Sequence, residues 1–180
     1  MAAETFLKAA EAHHKAKSPF DEAGCFVKAS EAYQKDKKTL EKSRKLLAKA
    51  IGMYMEENSY STAAKYQKEL GEVYEKEDNL PLAIKSYLAA AESYEEDKAI
   101  TSANLCKLKV ADIHALNKEY DEAIDIYTHV IYSPKSGAPA LRHTLHDYIF
   151  RCLLCYLATN VGAHDHFTPT FDSYHSLLGE

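Results

Sequence analysis

Cys152 and Cys155, three residues apart, are the first side chains of this sequence whose type and spacing invite chemistry. Thiols at that spacing on a helix share a face, as in redox pairs and in half of a zinc site. His164-x-His166 follows and would complete a Cys2His2 set. The surroundings argue otherwise. A redox pair expects a strand-to-helix junction, whereas this pair lies inside a Leu- and Tyr-rich helical stretch, where cysteine packs as a small apolar side chain. The histidines are closer set than zinc-finger histidines and read as a solvated turn.

Other chemistry is not indicated. His13-His14 faces two ways on one helix and reads as surface. The six glycines are scattered, with no phosphate-cradling loop and no G-x-S-x-G elbow. The acidic runs Glu56-Glu57 and Glu95-Glu96-Asp97 fall at helix ends facing solvent, where carboxylates do not converge for acid–base work. We therefore expect no enzyme, no catalytic residue, no cofactor, no metal and no small-molecule substrate.

The lysines differ. Lys65, Lys68, Lys85, Lys107 and Lys109 recur on successive helical stretches, away from the apolar positions. Singly, each is an ordinary solvated cation. In stacked helices, however, equivalent positions line up on one broad face, and a row of cations there would read an elongated acidic partner. The formal net charge of −5 excludes a general nucleic-acid binder but leaves 22 Lys and Arg free to cluster.

A register of twenty residues positions these lysines. Apolar residues fall at Phe20, Leu40, Tyr60, Leu80, Ile100 and Tyr120, and small ones three places later at Ala23, Ser43, Ala63, Ala83, Ala103 and Ala123. One such unit is a helix plus a short turn, and a pair of units is a hairpin of about forty residues, the period of stacked helical-hairpin repeats. The register predicts an all-α fold, a right-handed α-solenoid of TPR-like antiparallel hairpins with about nine helices in a single domain over 1–180. Regular repeats span 20–132, a loop 133–139, and further helices 140–180. Pro19 and Pro81 open helices, where a missing N–H costs nothing. Tyr54, Tyr74 and Tyr94, near the fourteenth place of their units, are expected to be core wedges.

A chain of 180 residues can bury a core without staples. No run is long enough to cross a bilayer, no basic-then-apolar leader opens the chain, and four cysteines inside helices point to a reducing compartment. The expectation is a cytoplasmic protein, at most peripheral to membranes.

Ser102-Ala103-Asn104-Leu105-Cys106-Lys107-Leu108-Lys109-Val110-Ala111, followed by Glu119-Tyr120-Asp121-Glu122-Ala123-Ile124-Asp125-Ile126-Tyr127, resembles the α-type soluble NSF attachment proteins (α-SNAP, Sec17 in yeast). Leu141 to Cys155, Thr62-Ala63-Ala64-Lys65, Ala23-Gly24-Cys25-Phe26-Val27 and Pro169-Thr170-Phe171 extend the likeness over nearly the whole chain. The resemblance implies a twisted sheet of hairpins whose basic face grips acidic SNARE bundles of the syntaxin, synaptobrevin and SNAP-25 type and presents them to the ATPase NSF. It implies a SNARE face of Lys65, then Lys109, Arg142 and Lys35, with Lys107 and His146 beside them. Three positions depart from the family pattern: Leu105 and His146 stand where lysines are usual, and Ser59 where a basic residue is common. Lys107, two places beyond Leu105, is the substitute the sequence offers. The resemblance also places the family's membrane-touching N-terminal hairpin before Met1 and its NSF-engaging bundle beyond Glu180, so that the chain reads as a fragment or shortened homologue. The competing readings are a generic TPR-like scaffold for another helical partner and, more distantly, a zinc or redox protein.

Overall fold

The computed structural model describes residues 2–34, 37–132 and 142–159. Among the described residues it contains eight helices and one short 3-10 turn: α1 Ala2–Lys15, α2 Pro19–Gln34, the turn Lys37–Thr39, α3 Leu40–Glu56, α4 Tyr60–Lys76, α5 Leu80–Glu96, α6 Ile100–Leu116, α7 Tyr120–Tyr132 and α8 Arg142–Thr159. The fold is all-α, built of packed TPR-like helical hairpins. The loop 133–139 and the weaker helix expected from about residue 170 lie outside the described residues.

The register is a property of the turns. Helices α3 to α6 are each 17 residues long, and three residues separate each from the next helix. In every such turn the middle residue takes a left-handed backbone: Asn58, Asp78, Lys98 and Lys118, with φ between 55° and 64°. Lys17 does the same between α1 and α2, at φ 54°. Two backbone hydrogen bonds close each turn. The Ser59 N–H reaches the Tyr54 carbonyl at 2.8 Å and the Asn58 N–H the Met55 carbonyl at 3.0 Å. The same pair recurs from Asn79 and Asp78, from Ala99 and Lys98, and from Glu119 and Lys118. This is a Schellman ending, which satisfies carbonyls that a helix C-terminus leaves unpaired. Within each compact unit the chain then reverses, so consecutive helices pack as hairpins.

The small third residue of each unit is what lets these helices approach. Ala23, Ala63, Ala83, Ala103 and Ala123 are fully buried, and so is Ser43, whose hydroxyl and carbonyl both meet the Ser30 hydroxyl. The chain divides between Ala99 and Ile100 into two compact units. In the first, α1 to α5, a core forms around Phe26, Leu47, Ile51 and Tyr54. The Tyr54 ring stacks on Tyr66 at 5.6 Å and takes the edge of Phe20 at 5.1 Å. Burial, as the leading cause, pushes the Tyr54 hydroxyl up to about 12. In the second unit, Leu108, Ile124, Tyr127, Val130, Ile149 and Cys152 fill the space between α6, α7 and α8.

One expectation about the core is corrected. Of the three tyrosines expected as wedges, only Tyr54 is buried; Tyr74 and Tyr94 are half-buried. Among the described residues the fully enclosed rings are Tyr87 and Tyr127, at the seventh place of their units. Those positions lie mid-helix, whereas the fourteenth place lies in the last turn, where Tyr54 is enclosed by the Phe20 and Tyr66 rings.

Candidate partner-binding residues

Helix α4 presents Lys65. The side chain is exposed, and its ammonium lies 5.2 Å from the centre of the Tyr66 ring, within cation–π range. Acids share this neighbourhood. Lys68 pairs with Glu72 at 3.9 Å. Glu69, one turn after Lys65, has its carboxyl pushed above the ordinary carboxylate range by burial first and by Glu31 and Glu72 next, with Lys65 and Lys68 opposing. The field around Lys65 is therefore mixed, and Lys35 lies outside the described residues.

In the second unit α6 carries Lys107 and Lys109. They differ by two residues, about 200° of helix rotation, and so point different ways. Lys109 is exposed and shares a face with Leu105, one turn earlier and 39% exposed, while Lys107 is half-buried. Lys107 thus lies off the face where Leu105 stands, and Lys109 is the cation beside it. Arg142 begins α8, and His146, one turn on, is exposed. Ser59, the N-terminal cap residue of α4, makes no side-chain cap.

A cluster that the spacing did not reveal holds α8. Asp112 on α6 accepts a hydrogen bond from the Tyr127 hydroxyl of α7 at 2.5 Å and an ion pair from Arg151 of α8 at 2.7 Å. Arg151 also lies over the Tyr148 ring at 5.4 Å, and that ring sits 6.2 Å from Tyr127. The hydrogen bond to Asp112 leads in raising the Arg151 guanidinium further above its usual value. Burial, then the same carboxylate, drives the Tyr127 hydroxyl upward. Tyr148 and Arg151 belong to the α8 stretch quoted above, but the sequence held no sign of their partner Asp112. His14 was missed in the same way. Instead of lying free on the surface, it meets the buried Glu22 at 2.9 Å.

Cys152 and Cys155 face the second core, 0% and 4% exposed. Burial first, and the Asp112 charge next, push the Cys155 thiol up, away from the thiolate that redox or metal chemistry needs. His164 and His166 lie outside the described residues.

A model of the family described as "Soluble NSF attachment protein, SNAP" matches residues 1–175. The chain belongs to the SNAP family. Among curated relatives, human alpha-soluble NSF attachment protein is 37% identical over 65 residues, which is 36% of this chain and 22% of the human protein. The mouse protein of the same name gives the same figures. Those stretches are well short of the relatives' full length. Among solved structures, the crystal structure of BtubC (BKLC) from P. vanneervenii superposes with a TM-score of 0.61 at 11% identity, covering 88% of this chain and 64% of that one. That likeness concerns the fold alone. Among the described residues of this SNAP-family chain, no helix is long and apolar enough to cross a membrane.

Proposed function

We propose that this SNAP-family chain is a non-enzymatic adaptor that binds acidic SNARE four-helix bundles through exposed cations in vesicle traffic, the SNARE-gripping part of an adaptor that presents them to the ATPase NSF. The observation that carries the reading is Lys65: it matches the family's sequence within Thr62-Ala63-Ala64-Lys65 and stands exposed on α4. Lys109 and His146 support it from the second unit, where both are exposed. Arg142, Lys107 and Lys35 complete the proposed contact set. Association between a basic surface and an acidic rod is fast, salt-sensitive and weakly sequence-specific. Work at the cytoplasmic side of membranes, as a peripheral protein, belongs to the same proposal.

The test is a salt titration of binding to an assembled SNARE bundle. Binding should weaken steadily as salt rises, and Lys65→Glu should lower affinity about tenfold at low salt. No binding at low salt would sink the proposal. A second reading, a TPR-like scaffold for another helical protein, is favoured by the exposed apolar Leu105 beside Lys109. A captured non-SNARE protein whose binding survives Lys65→Glu would support it.

A further inference from the structure

Helix α3 bears a second row of cations that the SNARE reading does not use. Lys42, Lys45 and Lys49 are all exposed on it, three and four residues apart, which aligns them along one side of the helix. Two of them are held by rings of α2. The Lys42 ammonium lies 5.9 Å from the Tyr33 centroid and the Lys49 ammonium 4.0 Å from the Phe26 centroid. Phe26 and Tyr33 are seven apart on α2, and Lys49 and Lys42 are seven apart on the antiparallel α3. The result is a two-rung ladder that fixes two ammoniums about 10 Å apart along the helix axis. Between them Lys45 pairs with Glu41 at 2.7 Å.

The ladder ends in a cleft. Lys49 also lines a cavity of about 460 Å³ between α1, α2 and α3. Its apolar wall is Leu7, Ala10 and the Phe26 ring, over which the Lys49 ammonium lies. Its polar wall is His14 and Glu22; the Glu22 side chain is 9% exposed and accepts from His14, and a carboxylate has lone pairs for more than one donor. Lys15 stands on the α1 rim, with Glu11 one turn before it. That acid makes the α1 rim nearly neutral, so an acidic ligand is drawn to the α3 side. Cavities of this size hold one or a few side chains.

We propose that this cleft and the lysine row form a docking site for an acidic protein segment carrying an aliphatic anchor, distinct from the Lys65 surface. The anchor enters between α1 and α3 against Leu7 and Ala10. A backbone N–H of the segment donates to the free lone pairs of Glu22. Its carboxylates, about two helical turns apart, meet Lys49 and Lys42.

The experiment uses the full chain, a fluorescein-labelled peptide of Asp-Glu-Leu repeats, and fluorescence anisotropy. The expected result is saturable, salt-sensitive binding that falls roughly tenfold in the Lys42→Glu/Lys49→Glu double variant and is unchanged in Lys65→Glu. Both lysines are exposed, and circular dichroism and melting check the fold of the double variant. A peptide of Asp-Glu-Ala repeats should bind several-fold more weakly. Equal binding by wild type and double variant overturns the proposal, as does equal binding of the Leu and Ala peptides. Loss on Lys65→Glu instead assigns the peptide to the SNARE surface and also overturns it. So does binding to phosphatidylserine vesicles through Lys42 and Lys49 with none to the peptide. Because SNARE-bundle binding is read through Lys65, either reading can fail while the other stands.

Discussion

Polar contacts between helices in the first unit are scattered and local: Ser30 with Ser43, Ser93 with Gln67, Tyr87 with Glu75, and the Arg44–Glu77 pair. In the second unit they converge, because one carboxylate, Asp112, serves a hydroxyl on α7 and a guanidinium on α8. A distributed set tolerates the loss of one member, while a hub fails as a whole. The hub also binds the helix on which Arg142 and His146 lie, so those two proposed contact residues depend on it in a way that Lys65 does not.

The largest expected effect tests that hub. Asp112→Ala strands the buried Tyr127 hydroxyl and removes the anchor of Arg151, and should cost about 2–3 kcal/mol in urea unfolding. Tyr127→Phe deletes the hydroxyl and leaves the ion pair, for about 1 kcal/mol. If the two substitutions cost the same, Asp112 is no hub and the contrast between the units disappears.

Next comes a close approach in the first unit. A Cβ on Gly71 would lie 2.9–3.1 Å from ring atoms of Tyr87, which is fully buried and tied to Glu75 through its hydroxyl. Alanine gains about 1 kcal/mol of helix propensity, but the fixed ring cannot give way cheaply. Gly71→Ala should therefore destabilise by about 1–2 kcal/mol net. A gain in melting temperature would show that the first unit yields more than its packing implies.

A smaller effect is expected at a turn. Lys98 holds a left-handed backbone without being glycine. Lys98→Gly removes that strain and loses part of the gain to the freer unfolded chain, for about 0.5 kcal/mol of net stabilisation. Differential scanning calorimetry resolves it.

The smallest change in stability is expected at Glu69, whose carboxyl is raised mainly by burial. A raised carboxyl binds its proton more tightly folded than unfolded. Stability therefore grows as pH falls through the folded value and is lower above it. Glu69→Gln should stabilise slightly at pH 7, with the gain vanishing in acid, and should strengthen binding to an acidic partner by unmasking Lys65. Melting temperatures at the two pH values and the SNARE titration check both arms.

Much of the fold was legible in spacing. Helices α3 to α7 begin at the apolar positions of the register, Leu40, Tyr60, Leu80, Ile100 and Tyr120. Its small third residues are all buried. Less of the candidate site was legible. Lys65 and Lys109 are exposed where their off-stripe positions put them, but side-chain partners across helices have no sequence spacing. Nothing near Asp112 in the chain points to Arg151, thirty-nine residues on, and nothing in His13-His14 points to Glu22. Lys107 shows the same limit on one helix, since its part in the contact set depends on rotation about the axis rather than on distance along the chain.

By itself, then, the sequence determined the helical register and which residues pack, because a helix of constant length with a three-residue reversal imposes its period on the chain. It also carried the SNAP family likeness, through residues 102–127 above all. Tertiary structure alone decided which tyrosines are enclosed, which acids are shared between helices, and which lysines face rings rather than acids. Those are properties of side chains brought together from different helices, and burial sets their strength.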